Sequence, residues 1–488
     1  MGKAQWNNLD DSELERTLTE SIDELPMEDV VENVVPLKSA MLYVLAGLVL
    51  SSVVFSIFKL NYILPTVGAV LSFLGYRKLK SENKYFSACY AIELVSLIYI
   101  LAVLILNTMT LGTDAHVKYV LKVISHVMAA VSVAGVLCLW LALRQVQKKA
   151  GLEPGAYAVL ALAGWYALAG LLAVFGYGSV NLLTMIIAIV VFVVLIRAIY
   201  KLPRELDEAG YLVRTSQIRI PDKAIVIAVL AVIVTGGACG YMFGNGYRMS
   251  WSIRDDMQQG TDVEGIRESL IGQGFPDYVL DDLTADEIAS CDGAVNILTQ
   301  NKNCDNGLQF TDIAVQVQDA DVEELWIIFH YFRWIEDKKP YGAEAVQIWT
   351  TEHEISEGWL TAGEVKGRLM YDKGGVTYTA PYHSMESVTY NRMAWMDRVQ
   401  TVTDVFGTFS FPEKGENCRG YVSYSTVHTV KGYTFYDFIN YTYQESWWQY
   451  PVISAYDHRT NGAFNKKPFM TVQNPFSFYF EEDGIRQY

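Results

Sequence analysis

The 488 residues contain no HExxH, GxSxG, phosphate-loop or CxxC motif. The zinc-hydrolase, serine-hydrolase, nucleotide-dependent and dithiol chemistries tied to those patterns therefore have no footing here. Basic residues are also few. Lys and Arg number 38 against 54 acids, a formal net charge of −16, and nowhere do they form the dense patch that a phosphate backbone requires. The sequence argues against nucleic acid as a partner. No cofactor or metal is implied, and an enzyme is the weakest of the functional classes: His353-Glu354 and Asp457-His458 are isolated pairs. A basic n-region and cleavage site are missing from the first 36 residues, which predicts no signal peptide.

Long apolar runs are present, and they are confined to residues 37–247. Residues 1–36 hold ten acids against Lys3 and Arg16, and residues 248–488 hold 36 acids against 19 bases. Acidity thus belongs to the two polar ends. A chain of this length is too long for one compact domain, and the composition divides it into four parts. These are an acidic helical head (1–36), a transmembrane region (37–247), a short helical subdomain (248–306) and a β-rich domain (307–488).

A bilayer crossing takes ~20 apolar residues for a ~30 Å core. Seven stretches meet or approach this: Ser39–Phe58, Leu60–Tyr76, Tyr85–Met109, Val123–Leu143, two within Pro154–Ile196 divided by the turn signal Gly176–Asn181, and Ala224–Gly244. Basic residues then set the orientation. Arg77, Lys78, Lys80 and Lys84 follow the second stretch, Arg144, Lys148 and Lys149 the fourth, and Arg197, Lys201, Arg204, Arg214 and Arg219 the sixth. The alternate loops are poorer in base. A cytoplasmic N-terminus and an extracellular domain after the seventh crossing are predicted, in a multi-pass protein of the plasma membrane.

Glu93 and His126 are titratable groups inside apolar stretches, and intramembrane charge points to function by default. Two readings stand side by side. The pair could meet across adjacent helices as a transport element, provided the fourth helix begins near Val117. Alternatively, Glu93 is protonated or bonded to a polar neighbour and serves as packing glue. Gly236, Gly240 and Gly244 form a small-residue stripe for close helix packing.

In the head, Leu14, Leu18 and Ile22 recur at intervals of four after Asp10 and Asp11, which can cap a helix. This stripe is either a solvated lead-in to the membrane or a docking face for a cytoplasmic regulatory protein. Beyond Leu308 the pattern changes to strands rich in Tyr, Phe, Trp, Val and Thr. About eight are expected: 325–334, 345–351, 363–371, 376–382, 404–411, 420–427, 433–443 and 469–480. They suggest a β-sandwich or jelly roll. Tyr433, Tyr436, Tyr441, Trp447, Trp448 and Tyr450 crowd its end, as core or as a surface for an extracellular glycan or protein ligand. Asn440-Tyr441-Thr442 fits a glycosylation sequon inside a predicted strand. Cys89, Cys138 and Cys239 fall in apolar helices. Cys291 and Cys304 flank a loop where an oxidising exterior would permit a disulfide, leaving Cys418 unpaired.

The strings Glu24-Leu25-Pro26-Met27-Glu28-Asp29-Val30-Val31, Arg204-Glu205-Leu206-Asp207-Glu208-Ala209-Gly210-Tyr211 and Gly274-Phe275-Pro276 with Leu283-Thr284-Ala285-Asp286-Glu287-Ile288 resemble a family of uncharacterised multi-pass membrane proteins of Firmicutes. That resemblance implies the membrane architecture over most of the chain and no activity. In layout alone, a small helical head joined through the membrane to an outer domain resembles membrane-bound anti-sigma factors, although residues 1–36 lack that group's zinc-binding His/Cys motif. Two functions follow as expectations. One is a sensor whose outer domain binds a ligand and whose head docks a transcription regulator. The other is a transporter or channel-like bundle built around Glu93 and His126.

Overall fold

The computed structural model describes residues 34–52, 57–174, 182–214, 220–255, 261–318, 324–336, 341–349, 358–393, 399–430, 432–460, 468–481 and 484–487. Leu14, Leu18 and Ile22 lie outside them. The chain divides into two compact units, Met1–Ile105 with Ala115–Gly237, and Leu106–Asp114 with Ala238–Tyr488.

The first unit is helical. A short strand, β1 (Val34–Pro36), leads into α1 (Leu37–Ser52), α2 (Leu60–Leu79), α3 (Lys84–Leu106), α4 (Ala115–Lys149), α5 (Tyr157–Val174) and α6 (Leu182–Glu208). Then β2 (Leu212–Arg214) pairs antiparallel with β1, Val34 opposite Arg214, and α7 (Asp222–Gly244) follows, its residues from Ala238 onward belonging to the second unit. Val95, Ile98, Val127, Ile227 and Val234 are exposed along α3, α4 and α7. Helices apolar on every face suit a lipid solvent rather than water.

Each of the seven apolar stretches contains a helix, but the expected count of seven crossings is not met. Among the described residues, four helices are long and apolar enough to cross a membrane: Lys84–Leu106, His116–Lys149, Met185–Glu208 and Asp222–Gly244. Leu37–Ser52 and Tyr157–Leu172 are shorter. At 1.5 Å per residue they reach about 24 Å against a core of about 30 Å. In α2, Asn61 and Pro65 near one end and Arg77-Lys78 near the other shorten the apolar stretch.

The second unit is mostly β. After β3 (Ser252–Ile253) come three short helices, α8 (Thr261–Gly272), α9 (Asp277–Leu280) and α10 (Ala285–Ala289). Strands β4 (Ala294–Asn303), β5 (Leu308–Val317), β6 (Leu325–Trp334), β7 (Glu344–Trp349), β8 (Trp359–Lys373), β9 (Val376–Pro381), β10 (Ser384–Met393), β11 (Val399–Phe409), β12 (Glu416–His428) and β13 (Phe435–Gln444) follow. The chain continues through α11 (Ala455–Thr460), β14 (Phe469–Glu481) and β15 (Gly484–Gln487). These strands build a seven-stranded antiparallel sheet, β3-β9-β8-β12-β6-β5-β4, and a six-stranded one, β10-β11-β7-β13-β14-β15.

Alternation decides what each sheet face meets. On β6, Trp326, Ile328, Phe332 and Trp334 point to the core shared with Ile348, Phe435, Tyr441 and Phe478 of the six-stranded sheet. Ile327, Phe329 and Tyr331 point the other way, onto Leu270, Phe275, Val279 and Ile288 of the short helices. The result is three layers, helices over sheet over sheet.

Two corrections follow. Beyond Leu308 the described residues form eleven strands, β5 to β15, rather than eight, and β3 and β4 fall in the stretch expected to be helical. The six cysteines are free thiols, so the disulfide expected between Cys291 and Cys304 is not formed. Cys291 is buried in the core under the helices, whereas Cys304 packs against the core between the sheets. The two lie on opposite faces of the seven-stranded sheet. Burial pushes the Cys291 thiol up to about 12, which makes it a poor nucleophile for exchange.

Candidate intramembrane site

Helical spacing brings polar side chains to one place in the first unit. On α3, Cys89, Glu93, Ser96 and Ile100 fall on one face at intervals of three and four, and on α4 Ser125, Ala129, Ser132 and Val136 do the same. Pro65, Ala69, Ser72 and Tyr76 make the matching face of α2. These faces, with Leu48 and Ser51 of α1 and Tyr166 of α5, enclose a cavity of about 280 Å³. Glu93 is its one carboxylate. Five serines and three tyrosines complete the polar lining: Ser51, Ser72, Ser96, Ser125, Ser132, Tyr76, Tyr99 and Tyr166.

The hydroxyl protons are partly committed. Ser125 donates to the Lys122 carbonyl at 2.7 Å and Ser132 to the Met128 carbonyl at 2.9 Å. Tyr166 shares a 2.5 Å hydrogen bond with Ser52. A serine that gives its proton to its own helix still has oxygen lone pairs to offer. Among the described residues no side chain forms a hydrogen bond or ion pair with the Glu93 carboxylate. The cavity therefore presents acceptors around one half-buried acid, which is the chemistry of a site for a cation or a proton.

His126 is not brought into this lining. The helix does begin early enough, at Ala115. However, His126 follows Ser125 by one residue and so points about 100° away around the helix. The glycine stripe of α7 packs as read: a Cβ on Gly236 would meet Ile105, and one on Gly244 would lie 2.7 Å from the Met109 side chain.

In the second unit the aromatic group separates by exposure. Tyr441 is fully buried in the intersheet core, its hydroxyl bonded to Glu344 and accepting from the Trp334 indole at 3.2 Å. It cannot offer a face to a ligand. Asn440 is buried on a central strand of its sheet, out of reach of a glycosylating enzyme in the folded chain. Tyr433, Trp447 and Trp448 are exposed, and Tyr436 and Tyr450 are half-buried.

Two constellations there escaped the sequence reading. The first is an ionic cluster sealed between the sheets. His330 on β6 bonds Asp312 of β5 through Nδ1 and Asp437 of β13 through Nε2, both at 2.7 Å. Asn474 of β14 donates to Asp312 and Tyr424 of β12 to Asp437. All three charged side chains are wholly buried. Burial alone would push the imidazole down, but Asp437 and Asp312 outweigh it and hold His330 up at about 10. Burial raises Asp312 as well. A signal existed: each group interrupts an inward apolar row, Asp312 between Phe310 and Ala314, His330 between Ile328 and Phe332, and Asp437 between Phe435 and Ile439.

The second is a cavity of about 400 Å³ against the seven-stranded sheet, lined by Glu287, Glu364, Lys366, Arg368, Tyr421 and Ser423 among others. Two of its charges are already paired. Glu287 takes part in the capping box of α10 with Thr284 and also accepts from Tyr421. Arg368 donates to the Asp282 carbonyl at 3.1 Å.

No protein-family model matches the chain, and no curated protein matches it.

Proposed function

We propose that the protein is a membrane transporter or channel-like bundle that takes a monovalent cation or a proton at Glu93. The observation that carries this reading is a carboxylate without a side-chain partner, set among serine and tyrosine oxygens within apolar helices. An unpaired acid in a lipid-facing bundle is expensive and is retained where it serves a pathway. Ser125 and Ser132 would supply neutral oxygen ligands, and Glu93 the charge. In this reading the N-terminus is cytoplasmic, and the β-rich unit is extracellular and accessory. A cysteine introduced at Gly415 should then react with an impermeant thiol reagent in intact cells, and one in the loop after α4, at 150–153, should not.

The test is reconstitution into vesicles with a trapped pH dye under an imposed Na⁺ or K⁺ gradient. Wild type should drive a lumenal pH change and Glu93→Gln should abolish it while remaining folded. A wild type that moves no protons, or a variant that moves them equally, would sink the proposal.

The sensor reading draws its support from the second cavity, whose Lys366 and Glu364 could receive a zwitterionic ligand. Its other half, a regulator docked on Leu14, Leu18 and Ile22, depends on residues outside the described ones. Measuring which cytoplasmic proteins co-purify with wild type and with Leu18→Glu would separate the two.

A further inference from the structure

A patch of large apolar side chains stands uncovered where α7 ends. Met242 and Phe243 are 74% and 78% exposed, and Trp447 and Trp448, on the loop after β13, are 66% and 56% exposed. They belong together. Tyr241 stacks on Trp448 with ring centroids 5.3 Å apart, and its hydroxyl donates to the Gln449 carbonyl. Trp447 meets Trp448 edge-on at 5.8 Å. The same loop is tied a second time, by the Val452 amide donating to the Asn107 carbonyl at 2.7 Å. Asn107 directly follows α3. The two tryptophans are therefore fixed to the ends of two helices that are each long and apolar enough to cross a membrane.

The position along α7 says what covers them. Its 23 residues reach about 34 Å, a little more than the hydrocarbon core of about 30 Å. Tyr241, Met242 and Phe243 thus fall at the boundary between acyl chains and headgroups. Tryptophan and tyrosine concentrate at that depth, because the ring body is apolar and the N–H or O–H seeks water.

We infer that Trp447 and Trp448 are seated in the phospholipid interface of the bilayer that α7 crosses, and that they anchor the second unit to the membrane surface. The inference is independent of the role of Glu93. It gives the aromatic loop a lipid occupant in place of the glycan or protein suggested by composition.

The experiment compares full-length wild type with Trp447→Phe/Trp448→Phe in vesicles of phosphatidylcholine and of phosphatidylcholine brominated at carbons 6 and 7. The chain has eleven tryptophans, so the wild-type-minus-variant emission isolates the pair. That difference should be blue-shifted, fall by more than half in brominated vesicles and resist aqueous iodide. A difference emission that iodide quenches and bromine leaves unchanged would overturn the inference, as would its quenching only on addition of a soluble glycan or protein. Single Trp447→Phe provides the same readout should the double variant fold poorly.

Discussion

Replacing His330 with alanine is expected to destabilise the β-rich unit by about 3–5 kcal/mol, the range for removing one partner from a buried ionic group. The change leaves Asp312 and Asp437 facing each other across the space between the sheets, with Asn474, Tyr424 and the Phe438 backbone amide as their remaining donors among the described residues. For a unit of this size, that loss corresponds to a fall in Tm of about 6–20 °C, measurable by the β-sheet circular dichroism of the protein in detergent. Removing the whole set of charges should be far milder. A variant combining His330→Leu with Asp312→Asn and Asp437→Asn contains no orphaned ion, and its Tm should lie above that of His330→Ala. The cluster also predicts a pH dependence. Folding raises the affinity of His330 for its proton from an ordinary value near 6.5 to about 10. The stability this supplies is complete below about pH 6.5 and is lost as pH rises through about 10. Asp312, likewise raised, acts in the same direction from a lower starting pH. The Tm of the wild type should therefore drop between pH 7 and pH 10, and that of the triple variant should drop less. Equal profiles would mean that the cluster carries no net ionic contribution.

Legibility followed burial only in part, since β5 is almost wholly buried and yet is absent from the strands read from the sequence. All eight strands read from the sequence are present, because β6, β12, β13 and β14 carry the large apolar side chains of the cores. Among the strands missed are β3, β4, β10 and β15, the four edges of the two sheets. An edge strand has one flank in solvent and needs fewer apolar residues, so the polar strings Asn-Ile-Leu-Thr-Gln-Asn-Lys-Asn of β4 and Ser-Met-Glu-Ser-Val-Thr-Tyr-Asn-Arg-Met of β10 do not stand out from loop. Helices were legible as apolar runs, but not their use as crossings: the spacing of Arg77 from Pro65 sets the apolar length of α2 only once its bounds are known. Glu93 could be picked out because a lone acid in an apolar run is conspicuous. Its companions could not. Serines at 51, 72, 96, 125 and 132 are unremarkable one by one, and only the packing of α1 to α4 gathers them around a cavity. Depth alone singles out His126, whereas its neighbour Ser125 holds the facing position.

That packing has a single tightest point, and it supplies the second large expected effect. Gly47→Ala should be strongly damaging. A Cβ on Gly47 would lie 2.6 Å from the Gly68 carbonyl oxygen and 2.7 Å from the Ser72 nitrogen, and one on Gly68 would lie 2.7 Å from the Gly47 carbonyl. Those are backbone atoms, which cannot rotate aside, so α1 and α2 would have to separate. In lipid, close contact between small residues is itself the attraction between helices, and no hydrophobic effect would restore it. Overpacking by one methyl ordinarily costs about 1–3 kcal/mol, and a backbone-to-backbone crossing belongs at the upper end or beyond. Gly164 and Gly170 of α5 supply the control. A Cβ there meets nothing within 4 Å, so alanine should be neutral or slightly stabilising through its helix propensity. Separation of α1 from α2 would also move Ser51 and Ser72, which line the cavity from those two helices. Gly47→Ala should accordingly lower both the melting temperature in detergent and the cation-driven pH signal in vesicles, while Gly164→Ala changes neither. If the two alanine variants melt alike, the crossing is looser than the glycine contacts imply, and the cavity wall does not depend on it.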